Sequence, residues 1–330
     1  MSSSAQPSAR GTRPKAAHHK TMTHRAHIAL AFLLLLAAAA TRSAVADSPQ
    51  ATSAAQESAA PQDAPLSAEQ VRAMVKRAIA MQHQSDEALE EYDRTERIVD
   101  RDRDKKSTET TARVVPVGTG AMRVELERNG QAVPPAEITQ AWRNIAGMLE
   151  SRSRSGDPKV KQDYERAAKR RREAARMVDA IGEAFRFRWA GRSMREGRAV
   201  VELDFEPEPG FKPSLRFAGV YKQIWGKVWV DEASGYVVRL EAELRRDVSF
   251  GAGIVGKVYR GARIEIEQAE VAPGAWLPTL NSYDIDGRRF LFPANLHRKQ
   301  YASEYRRIGP PAEALALIRS QHAQLITPSP

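Results

Sequence analysis

Between Tyr236 and Arg245 the sequence alternates without a break. Val238, Leu240, Ala242 and Leu244 fall on one side of an extended chain, and Arg239, Glu241, Glu243 and Arg245 fall on the other. A helix cannot show this pattern as a face, because its period is 3.6 residues rather than two. The stretch is therefore a β-strand with one dry and one wet face. Just before it, Ile224-Trp225-Gly226-Lys227-Val228-Trp229-Val230-Asp231 is rich in aromatic and β-branched residues. A polar connection ending in glycine, Asp231 to Gly235, joins the two runs as a hairpin.

From Phe185 onward the chain reads almost entirely as strand. The spacing predicts strands at 185–194, 199–206, 224–231, 236–246, 256–268, 276–286, 289–292 and 296–307, with turns at 195–198, 271–274 and 286–287. Consecutive antiparallel strands make a meander, and a sheet this long must twist and curl. Its concave side then needs filling. Three helices are available. The first begins at Ser67, where Gln70 completes a capping box, and carries Val71, Met74, Val75, Ala78 and Ile79 as a stripe to about Glu91. The second starts at Pro134-Pro135, with Ile138, Ala141, Trp142, Ile145 and Leu149 on one side. The third runs from about Lys159 to Gly182, and three shorter strands, 95–100, 109–117 and 121–128, precede the second helix. The third helix carries Arg166, Lys169, Arg170, Arg171, Arg172 and Arg176, with Asp163, Glu165 and Glu173 interleaved. That mixture reads as a solvated helix face in preference to an anion-binding patch. The expected fold is α+β: a long curled antiparallel sheet, an open half-barrel, with about three helices covering its concave face.

The N-terminus reads as a targeting signal. Six basic residues precede the first acid, Asp47, and an apolar run from Ile28 to Ala40 is followed by Ala44-Val45-Ala46. This is the build of a secretory signal peptide cleaved between Ala46 and Asp47. The apolar run is 13 residues long, whereas a membrane-spanning helix needs about 20, so no stable membrane span is expected after cleavage. The organisation expected is signal peptide 1–46, disordered linker 47–65, folded domain 66–308 and C-terminal tail 309–330, exported to the periplasm. Of the net charge of +10, six units belong to the leader and +4 to residues 47–330. That balance is too mild to suggest nucleic acid.

Chemistry-bearing residues are sparse. There is no cysteine, hence no thiol nucleophile, disulfide or cysteine metal site. After the leader only His83, His297 and His322 remain, widely separated. None sits in a nucleophile motif. Asp204, Glu206 and Glu208 are interrupted by Pro207 and Pro209, and Asp231, Asp284 and Asp286 read as turn aspartates that satisfy backbone amides. Gly251 to Val258 fits a phosphate-loop spacing, but Val258 stands where the magnesium-ligating Ser or Thr would be, and a strand pattern follows instead of a helix. It reads as a glycine-rich loop between strands. No cofactor, metal site or catalytic residue is assigned. Trp225, Trp229 and Trp276 suit core or cavity lining better than a sugar platform.

The hairpin Gly226-Lys227-Val228-Trp229-Val230-Asp231 with Tyr236-Val237-Val238-Arg239-Leu240 is similar to a recurring strand pair of the outer-membrane lipoprotein-sorting and carrier superfamily, the LolA/LolB type. Phe205 to Pro213, Trp276-Leu277-Pro278 and Tyr305-Arg306-Arg307 resemble a set of uncharacterised exported bacterial proteins of that type. The resemblance spans roughly residues 66–308. It implies a half-barrel whose concavity holds acyl chains, with no catalytic groups. The expected function is non-enzymatic binding of a lipid, a lipoprotein acyl chain or another apolar ligand. Trp225, Val228, Trp229, Val230, Trp276 and Tyr283 are the expected lining. Two alternatives stay open: a sensor or scaffold domain that binds an envelope protein, and a hydrolase using scattered carboxylates.

Overall fold

A computed structural model describes residues 64–101, 106–154, 156–215, 218–251, 255–290 and 292–323. The leader, its Ala46–Asp47 junction and nearly all of the linker lie outside these residues. In chain order the elements are α1 (Ala68–Leu89), β1 (Tyr92–Arg101), β2 (Ser107–Pro116), β3 (Ala121–Arg128), β4 (Gln131–Ala132), α2 (Pro135–Ser153), α3 (Pro158–Asp179), α4 (Ile181–Ala184), β5 (Phe185–Arg195) and β6 (Arg198–Pro207). A 3-10 turn (Ala218–Gln223) leads into β7 (Ile224–Asp231), β8 (Val237–Leu244), β9 (Val248–Phe250), β10 (Gly256–Val258), β11 (Arg263–Ala272), β12 (Ala275–Ile285), β13 (Gly287–Arg289), β14 (Phe292–Pro293), β15 (Leu296–Arg307) and α5 (Pro311–Gln321).

Eleven strands pair in one open antiparallel sheet, in the order β4-β3-β2-β1-β15-β12-β11-β8-β7-β6-β5. The first strand starts in the middle. The chain runs outward to the β4 edge, returns through α2, α3 and α4 to the opposite edge at β5, and meanders back until β15 pairs with β1, Tyr92 opposite Arg307. Helices joining the two edges have to cross a face of the sheet, and that path places them over its apolar side. The short strands β9, β10, β13 and β14 form a separate four-stranded sheet. The 256–268 run, expected as one strand, is divided between the two sheets, and the 289–292 run is divided between β13 and β14 of the small one. The glycine-rich loop leads from β9 into β10, a strand.

The described residues include five helices rather than three, over two larger cores and a small cluster of Leu89, Tyr92, Ala275 and Leu277. One core joins α1, the end of α3 and strands β5 to β12, with Val71, Val75, Leu203, Val228 and Ile266 buried. The other joins α2 and α5 to β2 and β3, around Trp142, Ile145, Leu149 and Ile318. At the α1 N-terminus, Ser67 Oγ accepts from Gln70 N, and Gln70 Oε1 accepts from Ser67 N, the reciprocal box read from the sequence. On α3, two of the arginines are tethers. Arg171 donates to both oxygens of Glu90 and to the Gly118 carbonyl, and Arg170 donates to the Thr119 carbonyl, tying the helix to the end of α1 and the β2–β3 turn.

Between the two cores, β1 carries carboxylates with no exposure. Asp93 accepts from Arg113 at 2.6 Å and from Arg306 at 2.5 Å. Glu96, on the opposite side of the strand, accepts from Arg94 at 2.6 Å and Arg123 at 2.5 Å. A charge held this far from water persists only where it is paired this fully.

Candidate functional site

Strand alternation sorts the residues of the Ile224–Asp231 hairpin. Ile224, Val228 and Val230 point to the inner face, beneath the helices, and are buried. Trp225, Lys227 and Trp229 point to the outer face. There Arg245 lies 5.0 Å over the Trp225 ring, while Lys227 and Arg239 each lie 5.7 Å from the Trp229 ring. On β8, Leu240, Ala242 and Leu244 face inward. A register shift between Trp229 and Val230 then brings Val237, rather than Val238, to the inner face. Gly226 sits opposite Phe205, and a Cβ there would meet the Glu241 carbonyl oxygen at 2.0 Å and the Phe205 ring at 2.5 Å. Glycine lets the Phe205 ring come this close to the β7 backbone.

These inward residues enclose a cavity of about 130 Å³ between α1 and the sheet. Val75, Ala78 and Ile79 of α1 form its roof, and Phe205, Val228, Val230, Leu240 and Ile266 are among the strand residues forming its floor. One end is polar, where Gln82, Asp86, Gln268 and Asn281 meet. Gln268 Nε2 donates to Gln82 Oε1 at 2.9 Å, and Gln82 Nε2 donates to Asp86 Oδ1 at 2.8 Å. Asp86 stands at the mouth, partly in solvent. Crowding by the chain raises its carboxyl above the usual range, against the opposing pull of the Gln82 hydrogen bond and His83. Gln268 Oε1 and Asn281 Nδ2 are buried and have no hydrogen-bond partner. An unmade hydrogen bond of this kind costs roughly 1–3 kcal/mol.

Of the six residues expected to line a cavity, Val228 and Val230 border this one, and Trp225 and Tyr283 border a larger trough of about 790 Å³. Trp225 and Trp229 are on the other face of the sheet. Tyr283 belongs to the inner core, with its buried hydroxyl unpartnered, and Trp276 stacks on Tyr236 at 5.3 Å with Arg198 over it at 4.9 Å. The polar end was not anticipated. Gln268 and Asn281 interrupt apolar positions of β11 and β12, and that interruption was the available signal.

The outer face holds a larger trough of about 790 Å³, lined by both signs of charge. Its charges largely answer one another. Arg186 pairs with Glu208, Arg188 with Glu206, Lys227 with Glu202, and Arg263 with Glu243. Arg239 on the same face binds Glu241, Glu265 and Glu267. His297 has Asp284 at 2.5 Å from Nδ1 and Asp286 at 3.4 Å from Nε2. With a carboxylate at each nitrogen, neither faces a nucleophile, so the arrangement lacks the geometry of a Ser–His relay. Asp231 is committed elsewhere: its carboxylate accepts from Arg198 Nε at 2.7 Å, Ser234 N at 2.7 Å and Ser234 Oγ at 2.6 Å.

No protein-family model matches the sequence, and no curated protein matches it. Among solved structures the chain is similar to a putative outer membrane lipoprotein-sorting protein domain from Vibrio parahaemolyticus, at 10% identity and a TM-score of 0.28 over 71% of this chain and 93% of that one. It is similar to a LolA superfamily protein from Nitrosomonas europaea, at 10% identity and 0.27 over 74% and 96%. It is also similar to a DUF1329 family protein from Desulfovibrio piger, at 15% identity and 0.27 over 72% and 92%. At TM-scores this low, none of these likenesses carries a ligand or a role over to this chain.

Proposed function

We propose that this chain is a non-enzymatic periplasmic protein that binds an apolar ligand, a lipid or an acyl chain, between α1 and the inner face of the sheet. The observation that carries the reading is the cavity, whose walls are aliphatic and aromatic except at one end. At about 130 Å³ it falls below the roughly 300–1,000 Å³ of pockets that take drug-sized ligands. A full acyl chain therefore enters only when the roof lifts. The roof suits that role. The buried α1 residues are Val71, Val75, Ala78, Ser85 and Leu89, and each buried Val or Leu contributes only about 1.5–3 kcal/mol. The polar ties of α1 to the strands and their turns are Arg77 Nη2 to the Ala233 carbonyl, Gln82 to Gln268, and Tyr236 to Gln84, while His83 to Asp179 and Glu90 to Arg171 tie it to α3.

The test is uptake of a fluorescent alkyl probe by protein purified without detergent, with native mass spectrometry for co-purifying lipid. Val228→Phe fills the cavity with an apolar ring and is expected to weaken uptake at least about tenfold. Trp229→Glu, on the other face, is expected to leave it unchanged. Equal uptake by both variants and the parent protein, or none by the parent, sinks the reading.

One observation favours a second reading, a scaffold that binds an envelope protein. Phe292 is 74% exposed and Phe290 47%, and Val255 and Tyr259 are exposed too, all on or next to strands of the small sheet. Exposed apolar groups gathered on one surface mark interaction sites more often than scattered ones do. Photo-crosslinking in cells from position 292, with position 194 as an exposed control, tests it. Protein adducts confined to position 292 favour it, and their absence removes its support.

A further inference from the structure

We infer that the polar end of the cavity is a head-group site for an amphiphile whose head is uncharged and both donates and accepts hydrogen bonds, as a primary amide does. The inference rests on the ligand-in-cavity reading and extends it from an apolar tail to a specific head. Two buried side chains carry it. Gln268, 6% exposed, lines the cavity with Oε1 unpartnered, and Asn281, 2% exposed, lines it with Nδ2 unpartnered. One offers an acceptor and the other a donor. The register sets Asn281 directly opposite Gln300 on β15, whose Nε2 is also buried and unpartnered, so the unsatisfied groups form a seam across the inner face. Gln268 is held in place from the other side by its own hydrogen bond to Gln82 of α1.

Charge decides which heads are admitted. Among the described residues no Lys, Arg or His lines the cavity, and its one carboxyl group is that of Asp86. A carboxylate or phosphate head would lose its hydration without meeting a cation and would face the Asp86 carboxylate. A neutral head that brings an N–H to Gln268 Oε1 and a carbonyl to Asn281 Nδ2 satisfies both orphan groups at once. The tail then runs along Val228, Leu240 and Ile266 beneath α1.

The experiment is competition against a neutral fluorescent alkyl probe by octanamide, by octane and by octanoate at about pH 8, where the acid is ionised. Octanamide is expected to compete at roughly tenfold lower concentration than octane, as one net hydrogen bond allows, and octanoate to be the weakest. In Gln268→Leu and Asn281→Leu the amide advantage is expected to fall to about one while octane competes as before. If octane and octanamide compete equally with the parent protein, the head-group site is overturned and the cavity reading stands. If the two variants melt higher but keep the amide preference, the orphan groups hold only buried water and the site is again overturned. If no alkyl probe binds the parent protein at all, the cavity reading and the site fall together.

Discussion

Asp231 closes β7 with its carboxylate 1% exposed, yet it stays ionised because of what surrounds it. Burial alone would push that carboxyl up. The Arg198 guanidinium and the Ser234 hydroxyl and amide outweigh burial and hold it below its ordinary value of 3.8. A carboxylate with a depressed folded pKa stabilises the fold fully above its unfolded value and loses that contribution as pH falls through the folded one. Asp231→Asn is therefore expected to unfold at lower denaturant than the parent protein at neutral pH, with the gap narrowing as pH drops below about 3.8. Arg198→Ala is expected to cost roughly 1–3 kcal/mol, since Asp231 keeps its Ser234 donors and loses its cation. Urea titrations across pH check both, and a gap that stays constant below that pH overturns the account.

At the scale of elements, α1 is the piece whose behaviour the proposed function needs. It is a single 22-residue helix started by the Ser67–Gln70 box. Ser67→Ala is expected to cost about 1 kcal/mol of helix stability, showing as faster amide hydrogen exchange over α1 with β7 and β8 unchanged, and as faster probe uptake. Slower exchange in α1 on probe binding is the companion expectation. Uniform acceleration across the sheet would mean that α1 does not open by itself. This helix was legible in the sequence because cap and stripe are local signals, and the strands were legible because period two is local too. Facing was only half legible. Val228 and Trp229 are neighbours in a strand and cannot both line one cavity, and alternation assigns the tryptophan to the cations outside. The shift that replaces Val238 by Val237 is a pairing event between two strands, invisible along either one. The second sheet escaped notice for a similar reason, since β9, β10, β13 and β14 hold only two or three residues each, too few to show a period.

For the molecule as a whole, the decisive contact joins its two ends. β1 pairs with β15 over nearly its full length, joining positions that lie 196 (Arg101 and His297) to 215 (Tyr92 and Arg307) residues apart in the sequence. No local pattern announces such a pairing, though the charges on β1 were a clue, because a strand this central does not bury acids without partners. Asp93 is the fastening. Arg113 reaches it from β2 and Arg306 from β15, so one carboxylate joins the run that ends at β4 to the run that began at β5. Asp93→Ala leaves two guanidinium groups facing one another across the gap, and breaking a buried pair from one side costs roughly 3–5 kcal/mol. Arg306 is 40% exposed, and its access to water places the expected loss at the lower end of that range. If the sheet is one cooperative unit, both cores feel the loss equally. Trp142 reports on the core under α2, and Trp276 on the side bearing the cavity. Singly replacing each with Phe, in the parent protein and in Asp93→Ala, separates their fluorescence. Coincident unfolding midpoints that fall together in Asp93→Ala show a sheet welded at β1–β15. Midpoints that part, with the Trp142 core melting first, would mean that the strands from β1 to β4 and their helices form a unit of their own, and that the half carrying the cavity can stand without it.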